Sequence, residues 1–294
     1  MEGCLLCPRA CNVDRSVTTG YCGAGLFPCV SKVMLHLWEE PFLSGTRGSG
    51  AVFFSGCNLG CVYCQNYRIR GGGVGESFHA EALAKLYLRL QEEGAHNVNL
   101  VTAAPYVPVV ADSLARAKLY GLKIPVVYNS SGYELVDTIR LLDGLVDIYL
   151  PDWKYVSPVL SAKFSSVPDY SEVASKAIFE MYRQVGDLRL NDSGLAVSGL
   201  AIRHLVLPGC VDDTRRVLDR IVTQYGKSAF LSLMSQYTPQ PGVTIQPLDR
   251  RLTKREYERT ISYALSIGLY NILIQEMDSA KPAYTPDFTD KIKI

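Results

Sequence analysis

Cys57, Cys61 and Cys64 lie in the run Ser55-Gly-Cys-Asn-Leu-Gly-Cys-Val-Tyr-Cys-Gln-Asn66, a CxxxCxxC triplet that follows the apolar stretch Ala51-Val-Phe-Phe54. A strand must therefore deliver three thiols onto one short loop. A cubane iron-sulfur cluster takes four cysteines, so three leave one iron with an open coordination position, and an open position on a metal is where chemistry occurs. The competing use of the same residues is a zinc knuckle or a reduced structural cysteine group. Zinc sites favour paired CxxC, or CxxC with HxxxH, and no fourth Cys or His follows within the next dozen residues.

From residue 51 onward short apolar or β-branched runs alternate with helical patterns. The strand candidates are Ala51 to Gly56, Val98 to Thr102, Pro125 to Asn129, Val146 to Leu150, Ala201 to Leu207, Phe230 to Met234 and Asn271 to Gln275. The helix candidates between them are Phe78 to Glu93, Pro108 to Tyr120, Tyr133 to Asp143, Ser171 to Gly186, Asp212 to Tyr225 and Thr253 to Ile267. Strands apolar on both faces suit a parallel sheet covered by helices, joined by right-handed βα crossovers. Six units and a seventh strand fall short of a closed eight-unit barrel. Asp212-Asp213-Thr214 reads as a helix start and Thr253-Lys-Arg-Glu256 as a capping box. Residues 155 to 170, with Pro158 and Pro168, read as a loop.

Over 294 residues, a 48% hydrophobic content is enough for one large core. The net charge of +1 gives no general pull toward nucleic acid or an anionic membrane, and no run approaches the length of a membrane span. Nine cysteines could signal a secreted disulfide protein, but the count is odd and no charged, apolar-cored leader precedes Cys4. Reduced cytoplasm is the expected location.

A second group, Cys4-Leu-Leu-Cys7-Pro-Arg-Ala-Cys11 with Cys22, precedes the barrel. Such a segment is too short to bury its own core, so a metal would supply its folding energy. Thiolates accept zinc or a second iron-sulfur cluster. Cys29 is a spare or alternate ligand, and Cys210 reads as a small buried residue. The chain divides into a cysteine-rich segment, 1–50, and a barrel, 51–294.

The CxxxCxxC loop with Tyr63 resembles the signature of the radical S-adenosylmethionine (SAM) superfamily. The Cys-x-x-Cys-Pro-Arg-x-Cys opening, Glu39-Glu-Pro41, Ser44-Gly-Thr-Arg-Gly-Ser-Gly50 and Asp152-Trp-Lys154 narrow the resemblance to pyruvate formate-lyase activating enzyme homologues with extra N-terminal cysteines. It implies an open (β/α)6 partial barrel, a 4Fe-4S cluster on Cys57, Cys61 and Cys64, and SAM whose methionine amine and carboxylate chelate the unique iron. It also implies a low-potential donor, flavodoxin or ferredoxin, and a glycyl radical enzyme as protein substrate.

Residue by residue, the resemblance puts Tyr63 near the adenine, Asn129 at the ribose hydroxyls, and Asp152 and Lys154 at the methionine carboxylate. The Gly-Gly-Glu turn of the activating enzymes is replaced by Val101-Thr-Ala-Ala-Pro105, leaving Thr102 or backbone carbonyls for the amine. Gln236 stands where those enzymes carry a histidine, which puts an identical substrate in doubt. Of Arg203 and His204, neighbours on one strand, at most one faces the barrel interior; His204 is the site candidate, and Glu276 is a further one. Other targets for the same chemistry are a small molecule or an RNA, the latter disfavoured by weak charge. From another class, the competitor is a non-catalytic iron-sulfur electron-transfer or scaffold protein.

Overall fold

The computed structural model describes residues 3–277 and 286–288. In chain order the elements are β1 (Cys29–His36), α1 (Pro41–Ser44), β2 (Ser49–Phe54), α2 (Tyr67–Arg70), β3 (Glu76–Ser77), α3 (Ala80–Glu92), β4 (Val98–Val101), α4 (Val107–Leu119), β5 (Val126–Ser130) and α5 (Val136–Arg140). They continue with β6 (Ile148–Pro151), α6 (Pro158–Ser165), α7 (Tyr170–Val185), β7 (Arg189–Leu190), β8 (Ala196–Leu200), β9 (Ile202–Leu205), α8 (Val211–Tyr225), β10 (Leu231–Met234), α9 (Lys254–Ser266) and β11 (Ile272–Ile274).

Strands β2, β4, β5, β6 and β8 pair in parallel. So do β9, β10 and β11. β8 and β9 are one strand bent at Ala201, whose N–H still reaches Tyr149 O at 3.0 Å, and β6 meets β9 through a parallel bridge between Asp152 and Arg203. The result is six βα units and a seventh parallel strand, the expected partial barrel. No pairing among the described residues joins β11 to β3, so the barrel stays open there. No helix among them is long and apolar enough to cross a membrane.

The helices form because their apolar positions recur on one face: Leu83, Leu86, Tyr87 and Leu90 of α3, and Val217, Leu218 and Ile221 of α8, are buried against the sheet. The capping box of α9 is present, Thr253 and Glu256 bonding reciprocally. The start of α8 differs from the sequence expectation. It begins at Val211 with no side-chain cap, and Asp213 instead accepts from the N–H groups of Val156 (3.2 Å) and Ser157 (2.8 Å). The stretch expected as a loop holds α6, capped by Ser157 with Pro158 in its first turn; proline is tolerated there because its missing N–H would have no helical partner. β1 adds an antiparallel edge to β2, so the barrel's sheet begins before residue 51.

The barrel interior is layered. α1 enters from the N-terminal end of the strands, and Phe42 and Leu43 pack on Val127, Ile148, Leu150 and Ala201 to make an apolar floor. Leu43 O accepts from Asn97 Nδ2 at 2.8 Å, which fixes the plug. Nearer the mouth, Phe53 and Val101 meet Phe288. Leu43 is fully buried, so Leu43→Ala should cost about 2–5 kcal/mol through lost burial and a residual cavity. Urea unfolding followed by circular dichroism measures this, and a cost below about 1 kcal/mol would mean the floor collapses freely.

Candidate active site

The cysteine loop rests on α6. Gly60 N–H donates to Ser165 O at 3.1 Å, and Val62 N–H to Phe164 O at 2.9 Å. Cys61 Sγ lies 2.9 Å from Ser165 Oγ, and Arg70 holds Cys61 O. Two glycines are required by close approach: Gly56, at φ +97°, would place a Cβ 2.8 Å from Cys22 O, and Gly60 would place one 2.4 Å from Tyr21 Oη. Burial, with repulsion from Cys61 and Cys64, pushes the Cys57 thiol up to about 12; burial and Cys61 push Cys64 up to about 11. Lys154 works against both shifts. These thiols therefore stay protonated until a metal displaces the proton.

Lys154 Nζ is 2.6 Å from Asp152 Oδ2, and Asp152 Oδ1 is 2.9 Å from Arg203 Nε. Burial opposes the Asp152 carboxylate, but Arg203 and Lys154 prevail and hold its carboxyl below the usual range. Arg203 also reaches Glu39 at 3.2 Å and donates to Asn129 Oδ1 at 2.7 Å. Asn129 Nδ2 and Asn99 Nδ2 in turn donate to Glu39 Oε2. Glu40 accepts from Ser232 Oγ at 2.9 Å, and its Oε2 and Asn99 Oδ1 are buried without a partner. Burial drives Glu40 up to about 7, Glu39 adding to the shift and Arg203 reducing it.

Asn129, Asp152 and Lys154 are thus brought together, beside the cysteine loop. Thr102 follows β4 at φ +63° and donates its N–H to Asn129 O at 3.0 Å; a left-handed conformation in a β-branched residue is strained and marks special positions. Tyr63 is buried against Tyr155 and, edge-on, Tyr237, its hydroxyl bonded to that of Tyr155. Gln236 lies past β10 beside Gln275 and Met234, and Glu276 is exposed.

His204 is not brought into this group. Its Nδ1 meets Trp153 O at 2.6 Å and its Nε2 meets Thr214 Oγ1 at 3.0 Å, between β9 and α8. Neighbours on a strand face opposite ways, and Arg203, bonded to Asp152, Glu39 and Asn129, is the one that faces the interior. Glu39, Glu40, Asn99, Tyr155 and Ser165 were not singled out as site residues from the sequence. The Glu39-Glu40-Pro41 run was the available signal for the first two, and Ser157-Pro158, a helix start, was the signal for the α6 shelf.

Three thiols on one loop, coupled to one another and faced by one lysine, suit three-cysteine ligation of a cluster with one iron left free. Among the described residues no three His, Cys, Asp or Glu side chains converge as a single metal ion needs.

The radical SAM superfamily model matches residues 51–219, and the chain belongs to that superfamily. Over 276 residues it is 28% identical to the uncharacterized protein MJ0674 of Methanocaldococcus jannaschii, covering 91% of this chain and 76% of that one. SuiB of Streptococcus suis bound to S-adenosylmethionine has a similar fold, with TM-score 0.52 and 14% identity over 77% of this chain and 50% of SuiB. SuiB bound to its precursor peptide SuiA gives a TM-score of 0.53 at 12% identity, covering 77% and 48%. HydG, a maturase of the FeFe-hydrogenase, has TM-score 0.50 and 11% identity, covering 78% and 52%. The chain spans about half the length of these solved proteins, and at such identities the likeness is one of fold. Superfamily membership makes this chain an enzyme of radical chemistry that uses a 4Fe-4S cluster and SAM.

Glu40 and Glu134 supply a pH test. Burial raises each from an ordinary 4.5 to about 7; Glu134 bonds Tyr128 Oη at 2.6 Å and Ser130 Oγ. A raised folded value means stability fully present below pH 4.5 and lost as pH climbs through about 7. The expected loss is on the order of a few kcal/mol. Urea midpoints across that window should fall in the native protein and fall less in Glu40→Gln and in Glu134→Gln; identical slopes in all three would show that neither carboxyl is held protonated.

Proposed function

We propose that this chain cleaves S-adenosylmethionine reductively and turns the resulting 5'-deoxyadenosyl radical on a carbon–hydrogen bond of a substrate. The observation that carries the proposal is the three-thiol loop set against Lys154 and Asp152 at the end of the parallel strands, where barrel ligands gather. When bound, the cluster supplies one low-potential electron and an open coordination site for the cosubstrate.

The chain's own residues do the rest. Cys57, Cys61 and Cys64 provide the thiolates. Lys154 offsets their charge and is the cation for the methionine carboxylate, with Asp152 fixing its ammonium group. Thr102 takes the methionine amine, and Asn129, held by Arg203 and Glu39, presents its amide toward the ribose. Tyr63 borders the adenine, and Gln236 lines the substrate side of the mouth. His204 ties β9 to α8 and so sets the register that turns Arg203 inward. The apolar floor below and the Phe53–Phe288 contact above limit water near a reactive carbon radical.

For the substrate we favour a peptide backbone. The resemblance to activating enzymes points to a glycine of a partner glycyl radical enzyme, and a fold of this kind accepts a peptide in SuiB. Gln236, in place of a histidine, argues for a partner different from pyruvate formate-lyase, and a small molecule is the second reading. A flavodoxin or ferredoxin in the cytoplasm is the proposed donor. Anaerobically reconstituted, dithionite-reduced protein given SAM should form 5'-deoxyadenosine, quantified by liquid chromatography, and Cys64→Ala should lose at least about 99% of that product, the loss expected when a required metal ligand is removed. An intact cluster that yields no product would move the protein to electron transfer or scaffolding.

A further inference from the structure

Cys4, Cys7, Cys11 and Cys22 take no part in the site above, yet their segment is built onto it. The Cys7 thiol lies within electrostatic reach of Cys22, Cys11 and Cys4, and the Cys22 thiol within reach of Cys4 and Cys11. The backbone closes around them: Cys4 N–H meets Val13 O at 2.8 Å, Asn12 N–H meets Cys4 O at 3.0 Å, and Ala10 N–H meets Cys7 O at 3.0 Å. Ala10 and Asn12 both hold left-handed backbone, φ +42° and +52°, a strained turn that a bound group would offset. Tyr21 N–H points at Cys11 Sγ at 3.3 Å. Amide donors aimed at ligand sulfurs are a means by which proteins tune iron-sulfur clusters, and Leu59 N–H stands in the same relation to Cys57 Sγ at 3.4 Å. Leu5, Val17, Tyr21, Leu26 and Phe27 are all exposed, so this segment has little core of its own to keep the thiols together.

The same segment touches the loop of the open-site cluster at three points. Arg9, between Cys7 and Cys11, donates Nε to Asn58 O at 2.9 Å, next to Cys57, while its guanidinium lies 3.7 Å over the Tyr21 ring. Cys22 O presses on Gly56, and Tyr21 Oη presses on Gly60. A path from Cys7 to Cys57 therefore crosses Pro8, Arg9, one hydrogen bond and Asn58, and Cys22 packs closely on Gly56, the residue before Cys57. Thiolates on a single zinc ion, at about 2.3 Å from the metal, must crowd together. Among the described residues neither thiol group converges that closely, and the two groups share one character, mutual charge coupling among their thiols.

We propose that Cys4, Cys7, Cys11 and Cys22 ligate a second, fully coordinated four-iron cluster that relays single electrons to the open-site cluster beside it. One electron enters from a low-potential one-electron donor, of ferredoxin or flavodoxin class or dithionite, which is oxidised by one. The same electron leaves for the neighbouring cluster, and no bond or proton changes. The relay rests on the radical SAM reading; the metal site does not.

The test uses the full chain reconstituted anaerobically with ferrous iron and sulfide. The variant Cys57→Ala/Cys61→Ala/Cys64→Ala should retain about four irons per chain, against about eight in the native protein, with a reduced electron paramagnetic resonance signal that SAM does not alter. Cys4→Ala/Cys7→Ala/Cys11→Ala/Cys22→Ala should also retain about four irons, in a signal that SAM does alter. If that variant does not fold, Cys11→Ser serves in its place and should lose iron with its circular dichroism unchanged. The native spectrum should be broadened beyond the sum of the variant spectra by coupling between adjacent clusters. Zinc in the first variant, or no metal, overturns the site; purely additive spectra overturn the relay. Failure of the radical SAM reading looks different: the first variant keeps its iron while the second neither responds to SAM nor forms 5'-deoxyadenosine.

Discussion

The guanidinium of Arg203 is the interaction on which the barrel turns. The two hydrogen-bonded sheets meet between β6 and β9 at the bridge between Asp152 and Arg203, and the same pair is joined through its side chains. Arg203 also gathers Glu39 from the segment that plugs the floor and Asn129 from β5. A planar, always-charged fork can serve three partners at fixed angles in a way that a lysine cannot. Taking that charge out of water costs several kcal/mol. The cost is tolerable here because two carboxylates and an amide oxygen meet its donors, and removing either carboxylate would leave the guanidinium under-compensated in the interior.

The pairing carries outward to the thiols. Asp152 spends one oxygen on Arg203 and the other on Lys154, so the lysine is directed by a carboxylate that is itself immobilised. Asp213 holds the Val156–Ser157 backbone, which starts α6, and the end of α6 supports Gly60 and Val62 of the cysteine loop. Helix α8 thus positions the cluster loop through two intermediates. A metal site whose ligands sit on a loop needs this kind of support, because outer contacts orient the donors.

Much of this was legible in the sequence, for physical reasons that differ by element. The parallel strands are apolar on both faces and the helices on one, so their periods separate cleanly, and the CxxxCxxC triplet follows the first of them. Helix α6 was hidden because its two bracketing prolines, Pro158 and Pro168, read as breakers when Pro158 in fact opens the helix. β1 was hidden because Lys32 and a register shift near it break its alternation. The inward turn of Arg203 was undetermined because strand parity says only that neighbours diverge. It is settled by tertiary partners: Glu39 lies 164 residues away in the chain. Asp213 has the look of a helix cap and serves instead as an acceptor for another loop.

The polar layer also bears on how a radical can be generated inside a protein. Between an apolar floor and an aromatic contact near the mouth lies a band of charges whose partners are each other, leaving Glu40 Oε2 and Asn99 Oδ1 buried and unmatched. An unpaired polar atom in such a place costs about 1–3 kcal/mol, and burial accordingly pushes Glu40 up to about 7, toward its neutral form. The apolar floor and the Phe53–Phe288 contact bound this charged layer on either side, so its members have one another, and little else, to pair with.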